Sequence, residues 1–338
     1  MVGVALDGDR GSDPLREKTV DDQDPPPLVE VRLDTIAELH GRGRLDRRAV
    51  DVDVPAAACR RGLGARLGQP DGVQPLVDAD GVDVRQSASP ASIAGPASRQ
   101  TQVMRMRLRQ IVMVAADLAA AEDRIEQELG LERCYRDPGV ATFGLRNALF
   151  PIGDQFLEVV SPTQPDTTAG RQIDKRGGDS GYMVIIEVDD LEPLRRRFDE
   201  HGARIVYEAV ADGIVGLHLH PADVGGAILS VDRADTWGEW PWAGPVWREH
   251  VRTGTVNEVL GVVIEADDPA AMSARWAQLL GCDAVDEVVT LPDGGEIRFV
   301  PTGDSGEGVS GFVLRADGED QARSVTICNC RFDLVADS

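Results

Sequence analysis

Between residues 107 and 335 the chain alternates short β-branched apolar runs with stretches of helical period. Arg107–Ala115 (RLRQIVMVA) reads as a buried strand. Asp117 follows as a cap, and the apolar spacing predicts a helix over Leu118–Leu129 that stops at Gly130. Three short strands are then expected at Val140–Leu145, Asn147–Ile152 and Phe156–Val160, with turns at Gly144 and at Gly153-Asp154.

The same order recurs. Tyr182–Val188 (YMVIIEV) is a strand, Asp189-Asp190 starts a helix over Leu191–His201, and Gly202 ends it. Strands follow at Arg204–Ala209, Gly216–His220 and Ala227–Val231. A third copy starts at Val259–Glu265 and continues through Asp267-Asp268-Pro269 into a helix over Ala270–Leu280, then strands at Asp286–Leu291 and Glu296–Val300. A fourth, shortened copy spans Gly311–Ala316, Ser324–Cys328 and Cys330–Val335, with no helix in it. One such unit leaves a sheet face bare, whereas two can curl their sheets into a cup. A period of this kind is the most informative feature of the chain.

Composition divides the chain differently. All fifteen aromatic residues lie at or after Tyr135, while residues 1–103 hold nine of the twenty prolines and 30 charged residues. A stretch without aromatic rings buries little apolar area against chain entropy, so 1–103 is expected to be disordered. Met104 and Met106 directly precede the first patterned strand. Two readings stay open: a non-native extension ahead of a start at Met104, or a natural, dispensable tail. The net charge of −23 argues against nucleic acid or an anionic membrane as partner. No run reaches the roughly 18 apolar residues of a membrane span, and no signal peptide is visible. Five scattered cysteines (Cys59, Cys134, Cys282, Cys328, Cys330) do not form a disulfide framework, which suits a reducing cytoplasm.

The ordered βαβββ units resemble the vicinal oxygen chelate superfamily, which includes glyoxalase I, bleomycin-resistance proteins, methylmalonyl-CoA epimerases and extradiol dioxygenases. The resemblance covers about 107–335. It rests on RQIVMVAADL (109–118), FLEVVSP (156–162), YMVIIEVDDL (182–191) and HPADVGGAIL (220–229). It implies an α+β fold of tandem βαβββ modules forming two cups. The first occupies 104–234, a Trp-rich linker 235–253, and a shortened second cup 254–338.

The resemblance also implies a divalent ion (Zn, Ni, Mn or Fe) in the cup, held by His or Gln, Glu, His and Glu, with open positions for a bidentate oxygen substrate. Carried over position by position, the first ligand is Gln110 and the second Glu158. The third position is Met183, a poor ligand for such a cation, and the fourth is Ser230, where glutamate is expected. In the second cup the matching positions are about Gly261 and Arg298. The two histidine positions of an extradiol iron site hold Gln110 and Met183, which argues against that chemistry. Half a site survives, and the chain holds either one weakly bound metal or none.

His218 and His220 share a face if both lie on one strand, and His218 could then replace Met183 or act as a base. The other reading makes His220-Pro221 the start of a turn. The Gly-rich loop Thr167–Gly181 carries Arg171, Lys175 and Arg176, suited to clamping a substrate anion or, alternatively, to solvation in a connecting segment; it is not a phosphate-binding P-loop. Trp237, Trp240, Trp242 and Trp247 either pack the two cups together or line a ligand pocket. Cys328 and Cys330 read as small buried residues.

Two functions follow as expectations. One is a lyase or isomerase of the glyoxalase or epimerase type, with Glu158 or His218 as base and Tyr182, Met183, Arg171 and Arg176 contacting substrate. The other is a metal-free binding protein of the bleomycin-resistance type. In both the partner is a small molecule, and the four units either close within the chain or pair as a homodimer.

Overall fold

The computed structural model describes residues 104–336. The disorder expected over 1–103, and Cys59 with it, lies outside the described residues. The first half runs β1 (Met106–Val114), α1 (Leu118–Leu129), β2 (Leu145–Ile152), β3 (Gln155–Pro162), α2 (Thr168–Arg176), β4 (Ser180–Val188), α3 (Glu192–Glu200), β5 (Ile205–Ala211), β6 (Ile214–Leu219), α4 (Pro221–Val224) and β7 (Ile228–Ala234). The second runs β8 (Val256–Ala266), α5 (Pro269–Leu280), β9 (Ala284–Val285), β10 (Val288–Thr290), β11 (Glu296–Pro301), β12 (Gly308–Ala316), β13 (Arg323–Ile327) and β14 (Cys330–Val335).

Local chemistry explains the helix ends. Asp117 accepts from the backbone N–H of Ala119 and Ala120 at 3.0 and 3.2 Å, and Gly130 closes α1 at φ +64°. Asp268 caps α5 through Ala271 N–H at 3.0 Å, with Pro269 in the first turn. Two expectations need correction, and the two readings of His220 resolve to the turn. Val140–Leu145 is not a strand: Asp137 accepts from Gly139 N–H at 2.8 Å, Pro138 fixes the first φ, and Pro138–Phe143 winds as a 3-10 turn. The presumed loop at Thr167–Gly181 contains α2, capped by the Thr167 hydroxyl on Gly170 N–H at 2.9 Å and ended by Gly177 at φ +72°. His220 leaves the strand at Leu219, and its Nδ1 accepts from Ala222 N–H at 3.1 Å to cap α4, so it shares no strand face with His218.

Each half builds one seven-stranded sheet, and the two have the same plan. The first is ordered β2-β3-β1-β4-β7-β6-β5 and the second β13-β14-β12-β8-β11-β10-β9. In the first, β1 and β4 form a central antiparallel pair, with β3 parallel to β1 and β7 parallel to β4. In the second, β8 and β12 take the central places, flanked by parallel β11 and β14. The fourth unit has only a 3-10 turn at Glu319–Gln321 where the others have a helix.

Strand alternation splits the apolar residues into two clusters. Ile111, Met113, Val184, Ile186, Leu229 and Val231 join α1, α3, α5 and the second sheet in one large core. Val112, Val114, Leu149, Phe156, Tyr182 and Ile185 line the inner face of the first sheet with Trp240 and Trp247. The halves are tied by the buried Gln155 amide, which donates to the carbonyls of Leu108 and Val259 at 2.9 Å and accepts from Val259 N–H at 2.7 Å. Where β4 passes β12, Gly181 lies against Val309 with no room for a side chain.

Candidate functional site: the inner face of the first cup

A register shift between Leu108 and Gln110 turns the side chains of β1 so that Gln110 and Val112 point inward. Gln110 lies beside Phe156, and Val112 beside Glu158, on parallel β3. Across the central pair, Met183 stands opposite Val112, and its β7 neighbours bring Ser230 and Asp232 onto the same face. Asn147 on β2 completes the floor.

These side chains form a hydrogen-bonded chain. Trp240 Nε1–H donates to Gln110 Oε1 at 2.7 Å. Gln110 Nε2–H donates to one Glu158 oxygen at 2.7 Å, and Asn147 Nδ2–H donates to the other at 2.7 Å. Asn147 is itself oriented by Asp137 N–H at 2.8 Å. Burial raises the Glu158 carboxyl to about 7, the field of Asp137 adds to the rise, and the two amide donors oppose it. On β7 the hydroxyl of Ser230 donates to Asp232, and Trp242 Nε1–H donates to the same carboxyl at 2.8 Å. Burial raises Asp232 to about 7 as well, against these two donors.

Residues 235–253 are a strap across the first cup, not packing between the two cups. Trp240 is fully buried over Arg109 and Phe156, and Trp247 meets Phe156 edge-on at 5.0 Å. Gly238 anchors the strap: its carbonyl accepts from Arg109 at 2.9 Å and its N–H donates to Glu187 at 3.1 Å. Arg109 and Arg107 both pair with the buried Glu187.

The expected site residues separate into two groups. Gln110, Glu158, Tyr182, Met183 and His218 come together on the first sheet. Met183 and His218 stay half-buried, and the His218 ring meets Tyr207 edge-on at 5.3 Å. Burial alone lowers His218 to about 4, so its imidazole is neutral at physiological pH. Arg171 is exposed on α2, where it donates to the Asp166 carbonyl and the Thr168 hydroxyl at 2.7 and 3.0 Å. Arg176 turns to the second half and pairs with Glu265 at 3.2 Å. Sequence reasoning missed Asn147 and Asp232, and it named Trp240 only among four rings that either pack the two cups together or line a ligand pocket. Asp232 was legible, since it lies two residues beyond Ser230 and shares its face.

The donor set does not fit a divalent metal. Gln110 Oε1 already accepts from an indole, Glu158 is bonded on both oxygens, Ser230 is turned to Asp232, and Met183 offers a thioether. Among the described residues no three His, Cys, Asp or Glu side chains gather as a metal-binding group. In the second cup, Gly261 and Arg298 line an open groove of about 360 Å³, with Arg298 paired to Glu296 at 2.9 Å.

The sequence profile of the glyoxalase-like domain family matches residues 111–280, half of the chain. The fold is similar to a mutant 4-hydroxymandelate synthase from Streptomyces coelicolor (17% identity, 64% of this chain, 72% of that chain, TM-score 0.50). It is also similar to a hypothetical protein from Staphylococcus aureus (12% identity, 68% and 99%, TM-score 0.53). Methylmalonyl-CoA epimerase from Mycobacterium tuberculosis matches over a smaller part (23% identity, 38% and 87%, TM-score 0.34). No curated protein sequence matches the chain.

Proposed function

The chain belongs to the glyoxalase-like domain family, within the vicinal oxygen chelate superfamily, and on that premise we propose that its first cup holds a small organic molecule without a metal ion. The observation that carries this reading is the chain Trp240–Gln110–Glu158–Asn147. It commits both surviving ligand positions to hydrogen bonds, and the strap that supplies Trp240 is itself anchored at Gly238. Met183 and His218, half-buried on the same sheet, would line the ligand in this reading. The four described cysteines carry no disulfide, in keeping with a cytoplasmic protein.

A second reading has its own support. A carboxyl held near 7 in a partly closed cup suits general acid–base work, so Glu158 could move a proton on a bound substrate in an isomerase or lyase reaction. In that case Gln110 and Asn147 orient the carboxyl, and Tyr182, Met183 and His218 contact substrate.

Elemental analysis by mass spectrometry, on full-length protein purified without chelator, tests the first reading. The expected result is no stoichiometric metal in either wild type or Glu158→Ala. About one metal per chain in wild type, lost in the variant, would overturn it. Turnover of 2-oxoaldehydes or acyl-CoA epimers by metal-free protein, abolished in Glu158→Gln, would establish the second reading.

A further inference from the structure

The two sheets share one plan, but their inner faces are finished differently. Across the first lies the strap, with Trp240 and Trp247 buried on it. In the second sheet, alternation sends Val262, Ile264, Ile297, Phe299 and Phe312 into the large core and turns the residues between them outward. That outward face is open: Glu258, Glu296 and Arg298 stand half-exposed on it. The groove of about 360 Å³ lies there, within the size range of small-molecule sites.

The floor of the groove is bare at its centre. Gly261 on β8 lies between Glu296 on β11 and Val313 on β12, and a Cβ at this glycine would stand 2.8 Å from the Glu296 carbonyl. Around it Leu260, Val263 and Val313 supply apolar surface. The charged groups on the wall are two and opposite. Glu296 and Arg298 are two residues apart on one strand, so they share the face. Their ion pair uses Arg298 Nη2 and one Glu296 oxygen at 2.9 Å. Arg298 Nε and Nη1 and the other Glu296 oxygen have no hydrogen-bond partner among the described residues. A half-exposed pair held by one bond contributes little by itself, so both ends stay available. Two more acid–arginine pairs share this face, Glu258–Arg315 at 2.7 Å and Asp333–Arg331 at 2.8 Å. The acids of these three pairs are thus matched one for one, although the chain carries a net charge of −23.

We propose that the groove of the second cup binds a free α-amino acid with an apolar side chain. Its carboxylate meets the open nitrogens of Arg298, its ammonium meets the open oxygen of Glu296, and its side chain lies over Gly261 against Leu260, Val263 and Val313. A lone cation would meet Arg298 beside its partner, and a lone anion would meet Glu296. A ligand with both charges on neighbouring atoms answers both, through charge-assisted hydrogen bonds. The site is separate from the first cup and does not depend on whether that cup holds a metal.

The test is calorimetry on the full-length protein with L-phenylalanine and L-leucine, and with phenethylamine and 3-phenylpropanoate as probes that keep the ring and one charge each. At least one amino acid is expected to bind with a Kd of the order of 1 mM or tighter, and each single-charge probe at least about tenfold more weakly. Arg298→Gln and Glu296→Gln alter half-exposed side chains and are each expected to weaken binding by about tenfold or more. Glu192→Gln, which removes an exposed charge from α3 in the first half, is expected to leave it unchanged. Hydrogen exchange in the presence of the amino acid should slow in β8 and β11. Equal binding of the single-charge probes, no binding of either amino acid at about 10 mM, or full affinity in both Arg298→Gln and Glu296→Gln would each overturn the inference. Affinity lost in Glu158→Gln and kept in Arg298→Gln would put the amino acid in the first cup, which overturns this site and supports the other.

Discussion

Trp240→Phe isolates the contact that ties the strap to the floor of the cup. The indole is 1% exposed, and its N–H is donated to Gln110 Oε1 at 2.7 Å. Phenylalanine preserves an aromatic ring over Arg109 but removes that donor. It leaves the Gln110 oxygen buried and unsatisfied, which costs about 1–3 kcal/mol. Losing the smaller ring opens a void of the order of 40 Å³, which at about 24 cal/mol per Å³ adds about 1 kcal/mol. The sum is about 2–4 kcal/mol, or a fall in Tm of roughly 4–16 °C for a unit of this size. Urea unfolding followed by far-UV circular dichroism measures it. Trp247→Phe serves as the comparison, because Trp247 packs on Phe156 but makes no such bond to Gln110. A double-mutant cycle with Gln110→Met should recover part of the loss, since it removes the stranded acceptor together with its donor. A Trp240→Phe variant within 0.5 kcal/mol of wild type, the ordinary range of a surface change, would refute the reasoning.

Two further outcomes follow from the same geometry. The folded-state carboxyl of Asp232 lies near 7 against an unfolded 3.8, so the native state binds the extra proton and this group costs stability progressively as pH rises from about 4 to 7. Asp232→Asn keeps an acceptor for Trp242, so denaturant midpoints should show it gaining on wild type between pH 4.5 and pH 8 by up to about 4 kcal/mol; a pH-independent difference would exclude the linkage. Gly181→Ala puts a methyl against Val309 where β4 passes β12, with the Val309 carbonyl only 2.8 Å away, and should cost about 1–3 kcal/mol in a thermal melt; an unchanged Tm would show that the joint between the sheets is loose.

Periodicity made most of the fold legible. The apolar alternation of β1 and β4 and the Asp-capped, Gly-ended helices α1 and α5 show at sequence level because local propensity and burial agree there. Helix α2 was hidden by Gly170 and by its single buried residue, Ala169, which leaves no apolar stripe to read. Its signals were the caps, Thr167 and Gly177. The segment Pro138–Phe143 looked like a strand because Val140, Thr142 and Phe143 favour one, but Asp137-Pro138 fixes the turn first. The site was legible only in part. Glu158 and Gln110 follow from inward alternation, whereas Trp240 reaches Gln110 across 130 residues of sequence, a contact no local pattern encodes.

The two halves of the first sheet differ in their inward polar residues, and this bears on why a metal site is not one substitution away. Strand β1 with β3 keeps a polar pair, Gln110 and Glu158, at the positions where β4 with β7 carries Met183 and Ser230. The second pair has not simply lost ligands. Ser230 and Trp242 now hold Asp232, and Asp232 sits in register beside Glu187, the buried carboxylate that binds Arg107 and Arg109. A glutamate placed at 230 would lose the bond to Asp232 and add a third acid to that patch. Like charges in a buried site raise each other's pKa, so the new group would be driven toward its neutral form, which is a poor metal ligand. The strap opposes the change from the other side: Trp240 holds the Gln110 oxygen, and its anchor at Gly238 depends on the same Glu187 and Arg109. Recovering a metal would therefore require moving the strap, freeing Gln110 and neutralising Asp232 together. The hydrogen bonds that oppose those steps also hold Glu158 in place at the base of the cup.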